Sequence, residues 1–280
     1  MFFVQQPALM TLNKLLNYKQ KYNIMNKIIT LSIATIFLAT SYASHSQNIK
    51  HQSPHHKTHW GYKGATGPSH WEDMDEKFSM CGKGKMQTPI NIVATNDINL
   101  TPLNINYTTS SKNVINNGHT VQVNIQSGST LTIEGETYEL KQFHFHTPSE
   151  NNINGTSYPL EAHFVHATKD GKLAVVAVMF KNGRANPILE KIWHKFPLKE
   201  NKAVSIDLSS ADIKSMMPSN KDYYKFMGSL TTPPCSENVK WNVYKTEMTI
   251  SKKQVKEFYN IFGHTNNRAL QNTNNRTITE

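Results

Sequence analysis

Regular alternation of apolar and polar side chains runs through the middle of the chain and predicts a protein built mainly from β-strands. Successive side chains of a strand point to opposite faces, so a period of two is typical of strands with one buried face. The run from Leu173 to Phe180 is almost continuously apolar, which favours a central strand that is buried on both faces. The alternating segments are 121–125, 131–133, 137–145 and 161–167.

Turn-forming residues separate these segments, and helical patterns are few. Asn-Gly or Asp-Gly pairs stand at 117–118, 154–155, 170–171 and 182–183. The best helical patterns run from Asn186 to Phe196 and from Lys252 to Phe262. We therefore predict a mainly β fold with a few short helices (α+β), a single domain around a large, twisted, mostly antiparallel central sheet.

The first part of the chain has the layout of an export signal. A short basic stretch begins at Met25, an apolar run follows from Ile28 to Ala39, and Ser41-Tyr42-Ala43 offers a cleavage site. The apolar run is too short to cross a bilayer as a helix, which disfavours the alternative of an uncleaved anchor. We predict a signal peptide over 1–43, with Met25 as an alternative start, and a periplasmic or secreted product.

A polar, histidine-rich segment over 44–58 comes next. We interpret it as a solvated linker in preference to a metal-scavenging tract. Large aromatic side chains first cluster at Trp60 and Tyr62. The folded domain is therefore predicted to span 59–280.

Charge and cysteine content add two expectations. The 280 residues include 30 Lys and Arg against 20 Asp and Glu, a formal charge of +10. The basic residues are spread among Asn, Thr and Ser, which predicts a basic soluble surface and no nucleic-acid partner. Cys81 and Cys235 are the two cysteines, and an even count in an exported chain predicts one disulfide.

Histidines on the predicted strands carry the clearest candidate chemistry. His144 and His146 lie two apart on one strand, so their imidazoles share a face, and a neighbouring strand can supply a third. His163 and His166 lie three apart and face opposite sides, so only one of them can join. Three neutral nitrogen ligands with one open position are the usual arrangement for catalytic zinc.

Glu150, four residues beyond His146, has two interpretations. As a fourth ligand it would match the cupin pattern of His-x-His, a short gap and Glu. That pattern expects glycines at fixed offsets, and Gly135 and Gly155 do not fall there, so the cupin is the alternative. Otherwise Glu150 is a hydrogen-bond acceptor beside the metal.

The segment from Gly228 to Cys235 contains two consecutive prolines, which stiffen the backbone. Such a loop can hold a threonine hydroxyl in a fixed orientation. From the residues alone, an ordinary turn is the simpler interpretation.

Taken in order, these segments make the chain resemble the α-class carbonic anhydrases of the exported bacterial type, from about His59 to about Gln271. Each motif is weak alone, but their order is specific. The matching segments are Trp60-Gly61-Tyr62, Gln87-Thr88-Pro89-Ile90-Asn91-Ile92, Asn116-Asn117-Gly118-His119, Gln142-Phe143-His144-Phe145-His146, Ser149-Glu150, Glu161-Ala162-His163-Phe164-Val165-His166 and Gly228 to Pro234.

The resemblance implies a Zn²⁺ ion held by His144, His146 and His163. It also implies that Gln142 orients His144, that Glu161 orients His163, and that a backbone carbonyl near Asn266 orients His146. Thr231 would accept a hydrogen bond from zinc-bound hydroxide and donate one to Glu150. These roles differ from a cupin, in which the glutamate binds the metal.

The implied reaction is the reversible hydration of carbon dioxide to bicarbonate and a proton, by attack of zinc-bound hydroxide. His119 would shuttle the proton to solvent, for which its ordinary near-neutral pKa is suited, with Tyr62 and Gln122 ordering the water between. The predicted substrate pocket is lined by Val165, Val175, Leu230, Thr232, Val239 and Trp241.

Two other classes remain as alternatives. A catalytically silent binding module on the same fold would typically lack a zinc histidine, and this chain lacks none. A zinc peptidase would show a helical His-Glu-x-x-His, which is absent. The expected partner is a small-molecule substrate, carbon dioxide or bicarbonate, and a homodimer stays open. Near the C-terminus, Arg268 lacks the proline that usually follows it, which puts the packing of that segment in doubt.

Overall fold

An eleven-stranded sheet is the centre of residues 59–280, which are the residues that the computed structural model describes. The predicted signal peptide and linker lie outside this range. The strands are β1 (Asn91–Ile92), β2 (Asn104–Asn106), β3 (Ser111–Asn116), β4 (Val121–Ile125), β5 (Thr130–Ile133), β6 (Glu136–His146), β7 (Asn152–Ile153), β8 (Leu160–Ala167), β9 (Leu173–Asn182), β10 (Ala203–Val204), β11 (Tyr223–Ser229), β12 (Glu237–Tyr244) and β13 (Met248–Ile250).

The main path of the sheet runs β10-β3-β4-β6-β8-β9-β12-β11, and its neighbours are mostly antiparallel. Strand β9 pairs in parallel with β12 and β13, so the sheet is mixed at this point. Strands β1 and β7 form a separate parallel pair. The predicted fold class is confirmed, and β9 is the central strand that the apolar run predicted, since its residues from Ala174 to Phe180 are buried.

Helices are short and lie around the sheet. The two predicted helices form, and their ends follow from local chemistry. The first begins after Asn186, whose side chain accepts hydrogen bonds from the backbone N–H of Ile188 and Leu189. The second begins with a capping box and ends at Gly263, whose φ of 65° favours glycine. The helices are α1 (Trp71–Met74), α2 (Met80–Lys83), α3 (Pro187–Lys195), α4 (Ser210–Ser215) and α5 (Lys252–Phe262), with single 3₁₀ turns at Gly64–Thr66, Pro68–His70 and Glu76–Phe78.

Each face of the sheet packs against its own apolar cluster. On one face the aromatic side chains of β6 and β8, such as Phe145 and Phe164, contact α3 and α5 residues such as Leu189 and Phe258. On the other face a smaller cluster includes Trp241 and packs beside the histidines. The alternation along β6 and β8 therefore places Phe145 and Phe164 on the face toward the helices and the three histidines 144, 146 and 163 on the opposite face.

A third cluster surrounds the disulfide between Cys81 and Cys235, which confirms the predicted pair. The bridge spans 154 residues of sequence and joins α2 to the loop before β12. Within residues 59–280, none of the helices has both the length and the apolar character that a membrane crossing requires.

Candidate metal centre

Strands β6 and β8 bring three imidazoles together through their register. His144 lies directly opposite His163, and His146 lies opposite Glu161. The ring centroids are 5.0 Å apart for His144 and His146, 5.3 Å for His144 and His163, and 4.6 Å for His146 and His163. Each ring offers one nitrogen, and these three nitrogens all lie within 4.8 Å of one another.

Neighbouring groups fix which nitrogen each ring turns toward the centre. His144 Nδ1 donates to Gln142 Oε1 at 2.9 Å, and His146 Nδ1 donates to the carbonyl of Asn266 at 2.7 Å. Both rings therefore keep Nε2 for the centre. His163 is reversed, because its Nε2 lies 2.9 Å from Glu161 Oε1, a close contact whose alignment falls short of a hydrogen bond.

The chemistry of this donor set fits a divalent cation. Burial lowers the pKa of all three histidines, to about 4 for His146, and the neighbouring imidazoles lower it further for His144 and His163. The rings are therefore neutral at neutral pH, which is the form that binds metal. His146 Nε2 is buried without a hydrogen-bond partner, and such atoms are costly unless a ligand satisfies them.

Glu150 is buried beside the three rings but belongs to a different set of contacts. Its Oε1 accepts a hydrogen bond from the backbone N–H of Arg268 at 2.9 Å. Its Oε2 lies 3.4 Å from His146 Nε2 and 3.9 Å from His163 Nδ1. The group of possible metal-binding atoms consists of the three histidine nitrogens and does not include this carboxylate. The geometry therefore supports Glu150 as a neighbour of the centre and not as a fourth ligand.

The electrostatics of Glu150 depend on what stands beside it. Burial raises its pKa to about 8, while the nearby Thr231 side chain and the Arg268 N–H act in the opposite direction. A divalent cation among the imidazoles would lower this pKa again, because it stabilises the carboxylate form. The Thr231 side chain is buried at the same place, as the loop interpretation requires.

Glu161 is held by backbone and amide donors as well as by its contact with His163. Its Oε2 accepts from the N–H groups of Glu150 and Asn151 at 2.8 and 2.9 Å, and its Oε1 accepts from Asn151 Nδ2 at 2.8 Å. Burial still raises the pKa of Glu161. One carboxylate thus connects the His163 ring to the turn that carries Glu150.

The loop that carries Thr231 is fastened at both ends. Thr88 and Ser229 exchange hydrogen bonds between backbone and side chain at 2.9 and 3.0 Å, and the Cys235 N–H donates to the Thr232 carbonyl at 2.8 Å. Gly228 allows this approach, because a Cβ there would stand 2.2 Å from Thr88 Oγ1. The proline loop is therefore a turn that hydrogen bonds tie to Thr88 at its start.

The predicted pocket residues form an apolar wall next to His163. Val165, Val175 and Trp241 are cross-strand neighbours on β8, β9 and β12. The Trp241 ring lies 4.9 Å from the His163 ring, edge to face, and its Nε1 donates to the Ser229 carbonyl at 3.0 Å. Val239 and Leu230 belong to the same cluster, and Thr232, two residues after Leu230, is half-buried.

His119 lies on a tight turn and packs against aromatic rings. Asn117 Oδ1 accepts from the His119 N–H at 3.0 Å. The imidazole stacks flat on Trp60, with ring centroids 3.6 Å apart, and also on His59 at 5.5 Å. Burial lowers the pKa of His119 to about 4, and the charge of His59 lowers it further while that of Glu200 raises it. The stacked position therefore holds the pKa of His119 below the near-neutral value that suits a proton shuttle.

Tyr62 and Gln122 differ in how firmly they are held. The Tyr62 hydroxyl is buried without a hydrogen-bond partner, and burial with the nearby Glu150 charge raises its pKa well above the usual value. Gln122 instead accepts from Asn117 Nδ2 at 3.2 Å and donates to Asn124 Oδ1 at 2.7 Å. Tyr62 thus presents a polar atom to the site, while Gln122 is already engaged.

The side chain of Arg268 is a structural part of the site that sequence reasoning missed. Its guanidinium is 2% exposed and donates to Gln87 Oε1 at 2.9 Å, the Thr88 carbonyl at 2.8 Å and the Cys81 carbonyl at 2.6 Å. The doubt about the C-terminal packing is answered, since Gln271 N–H also donates to the Pro89 carbonyl at 2.7 Å. The sequence contains no local signal for this role, because every partner is distant along the chain.

Fold and site together define a mainly β protein with three histidines that could hold a metal ion, beside an apolar wall. The family model for eukaryotic-type carbonic anhydrases matches residues 66–280. A carbonic anhydrase of Pectobacterium atrosepticum is 42% identical over 247 residues, which are 88% of this chain and 97% of that protein. A carbonic anhydrase of Neisseria gonorrhoeae is 41% identical over 254 residues, 90% of this chain and 95% of that protein.

A solved structure agrees with these relatives. The α-carbonic anhydrase from Thermovibrio ammonificans, in complex with the inhibitor sulfanilamide, has a TM-score of 0.77 and 42% identity, covering 80% of this chain and 99% of that chain. The chain therefore belongs to the α-class carbonic anhydrase family and is an enzyme of that type, a lyase. The resemblance is confirmed, and the cupin alternative is wrong.

Proposed function

We propose that this chain binds one Zn²⁺ ion through His144, His146 and His163 and catalyses the reversible hydration of carbon dioxide to bicarbonate and a proton. The observation that carries the proposal is the group of three neutral imidazole nitrogens within 4.8 Å of one another. When bound, zinc lowers the pKa of a water ligand to about 7, so that a hydroxide nucleophile is available at neutral pH.

Thr231 and Glu150 orient the nucleophile. Glu150 Oε1 is occupied by the Arg268 N–H at 2.9 Å, which leaves Oε2 to accept from the Thr231 hydroxyl. A threonine that donates its only proton to a carboxylate can only accept a hydrogen bond from the attacking oxygen. The lone pair of that oxygen is then directed toward the apolar wall.

Carbon dioxide is held by the apolar wall of Val165, Val175, Leu230, Val239 and Trp241. A small molecule without a net dipole gains little from polar partners, and burial against apolar side chains removes it from water. Thr232 is assigned to the rim of the pocket, since it is half-buried and follows Leu230 and Thr231 in the same loop. The wall stands against the His163 ring, which supports a substrate position next to the nucleophile.

His119 is proposed to carry the released proton to solvent. Its stacked position under Trp60, with a pKa of about 4, makes it a poor acceptor there. To take the proton, the ring must leave Trp60 for a more solvated position, which restores a pKa near that of a free histidine. Turnover in dilute buffer is the quantity that depends on this step.

A stopped-flow assay tests the function directly. Carbon dioxide hydration is measured for zinc-loaded protein, for protein treated with a chelator, and for chelated protein to which zinc is returned. We expect activity that disappears with zinc and returns with it, and one zinc per chain by metal analysis. Folded, zinc-loaded protein without activity would instead support the catalytically silent binding module.

Export is also proposed. The disulfide between Cys81 and Cys235 supports an oxidising compartment, and the signal layout over 1–43 supports periplasmic or secreted protein. Cell fractionation with mass spectrometry of the mature N-terminus tests this proposal. A cytoplasmic product that retains residues 25–43 would contradict it.

A further inference from the structure

A second histidine lies at the same side of the metal centre as His119. His264 stands two residues before Asn266, whose carbonyl accepts the hydrogen bond from His146 Nδ1. Asn266 Nδ2 also donates to the His119 carbonyl at 3.1 Å. The segment that carries His264 is therefore tied both to a metal-facing ring and to the turn that carries His119.

Tyr62 connects His264 with the interior of the site. The ring centroids of Tyr62 and His264 are 6.3 Å apart. The Tyr62 hydroxyl is buried without a partner, and it lies close enough to Glu150 for that carboxylate to raise the pKa of Tyr62. Tyr62 therefore stands between the buried Glu150 carboxylate and the His264 imidazole.

The hydrogen bond of His264 leaves one nitrogen ready to accept a proton. Nδ1 lies 2.7 Å from the carbonyl of Thr265, and a carbonyl only accepts, so Nδ1 carries the ring proton. The neutral ring then has its free lone pair on Nε2. His264 is partly exposed and lies beside Phe262 with the two rings tilted by 50°, without the flat indole stack that covers His119.

We propose that His264 is a second proton acceptor of the hydration reaction, acting beside His119 at the rim of the site. The inference rests on the proposed function. The proton released at the centre passes through solvent along Tyr62 and is added to Nε2. The imidazolium then gives a proton to a buffer molecule and returns to the neutral ring. Lys63 Nζ donates to the Gly263 carbonyl at 3.1 Å, which fastens the backbone next to His264.

Charged and titratable groups surround both histidines, and the two rings also act on each other. Glu200, His59 and His264 stand near His119, and Lys63 and Tyr62 stand near His264. The double variant is therefore needed beside the two single variants. His194 on α3 offers a matched control, since its side chain is 74% exposed and pairs only locally with Glu190 at 3.1 Å.

The test measures kcat and kcat/KM for carbon dioxide hydration in dilute, bulky buffer. The variants are H264A, H119A, the double variant and H194A, all zinc-loaded. We expect H264A to lower kcat at least about threefold with kcat/KM unchanged, because proton release follows the hydration step. The double variant should fall below either single variant, imidazole should restore kcat, and H194A should match the parent protein.

Three results would overturn the proposal. The first is an unchanged kcat of H264A in dilute buffer, and the second is an equal loss of kcat and kcat/KM that imidazole does not restore. The third comes from ¹⁵N NMR of the zinc-loaded parent protein, in which a neutral His264 ring should carry its proton on Nδ1; a proton on Nε2 contradicts the acceptor role. If the parent protein itself is inactive, the proposed function fails instead.

Discussion

The two faces of strand β8 both bury a histidine, and they use it differently. His163 faces the candidate metal centre, with Nε2 2.9 Å from Glu161 Oε1 and Nδ1 3.9 Å from Glu150 Oε2. His166, three residues later, faces the large apolar cluster, where Nε2 meets the Tyr107 hydroxyl at 2.7 Å and Nδ1 meets the Ala174 carbonyl at 3.3 Å. A buried histidine whose two nitrogens both have protein partners is structural. One that leaves a nitrogen facing other imidazoles is a candidate ligand.

This comparison also teaches what burial alone cannot decide. Burial lowers the pKa of both His163 and His166. A lowered pKa therefore marks neither residue as functional. The difference lies in where the lone pair points, which depends on strand register and on the side chains of the next strand.

The largest effect is expected from removing a ligand on the metal face. H146A should lose bound zinc and lower carbon dioxide hydration by at least about a thousandfold, because water without zinc has no hydroxide to offer near neutral pH. Metal analysis and the stopped-flow assay check this. The control is H166F, which should keep one zinc per chain. Zinc loss in H166F would break the distinction between the two faces.

A pH effect on stability is expected from the structural face. Burial lowers the pKa of His166 to about 4, whereas an unfolded histidine titrates near about 6.5. The unfolded chain therefore binds a proton first as pH falls. The contribution of the neutral His166 ring to the free energy of unfolding is therefore complete above about pH 6.5. It is lost progressively as the pH falls from about 6.5 to about 4, and the loss amounts to about 3 kcal/mol at most.

Denaturant unfolding of the parent protein and of H166F across this range measures that contribution. The slope of stability against pH should be smaller in H166F, because this variant has no proton to gain at position 166. Metal-free samples of both proteins separate the effect from acid release of zinc. Parallel curves for the two proteins would show that His166 does not supply the slope.

A smaller effect is expected from a residue that orients a ligand. Q142L removes the acceptor for His144 Nδ1, which lies 2.9 Å from Gln142 Oε1, and leaves the ligand itself in place. Zinc affinity should fall about 10- to 100-fold, as is typical for partners of metal-bound histidines. Competition with a fluorescent chelator measures it. An affinity equal to that of the parent protein would show that the β6 backbone alone orients His144.

The smallest effect is expected from Y107F. This variant leaves a buried imidazole nitrogen without a partner on the structural face, as the histidines of the metal face have. The variant leaves His166 Nε2 buried without a partner, which should lower the free energy of unfolding by about 1–3 kcal/mol. Zinc content and turnover should not change. Calorimetry with metal analysis checks both, and a second zinc bound at His166 would contradict the account of why one face binds metal.

Much of the architecture could be predicted from the chain because the relevant physics is local. The period of two along β6 and β8 places His144 with His146 and separates His163 from His166. The two helices follow from capping residues at Asn186 and Ser251. Strand β3 was not predicted, because its sequence is largely polar and only the neighbouring strands β4 and β10 make it a strand.

Which side chains would meet depended on distant parts of the chain. Local alternation left His163 and His166 as equal candidates from the residues alone, since a strand has two faces and the sequence does not say which faces β6. Register decided it, by setting His163 opposite His144. The stacking of His119 on Trp60 and the placement of the Arg268 guanidinium likewise come from tertiary packing. Periodicity is a property of neighbouring residues, whereas protonation and coordination depend on atoms that only the folded chain brings within a few ångströms.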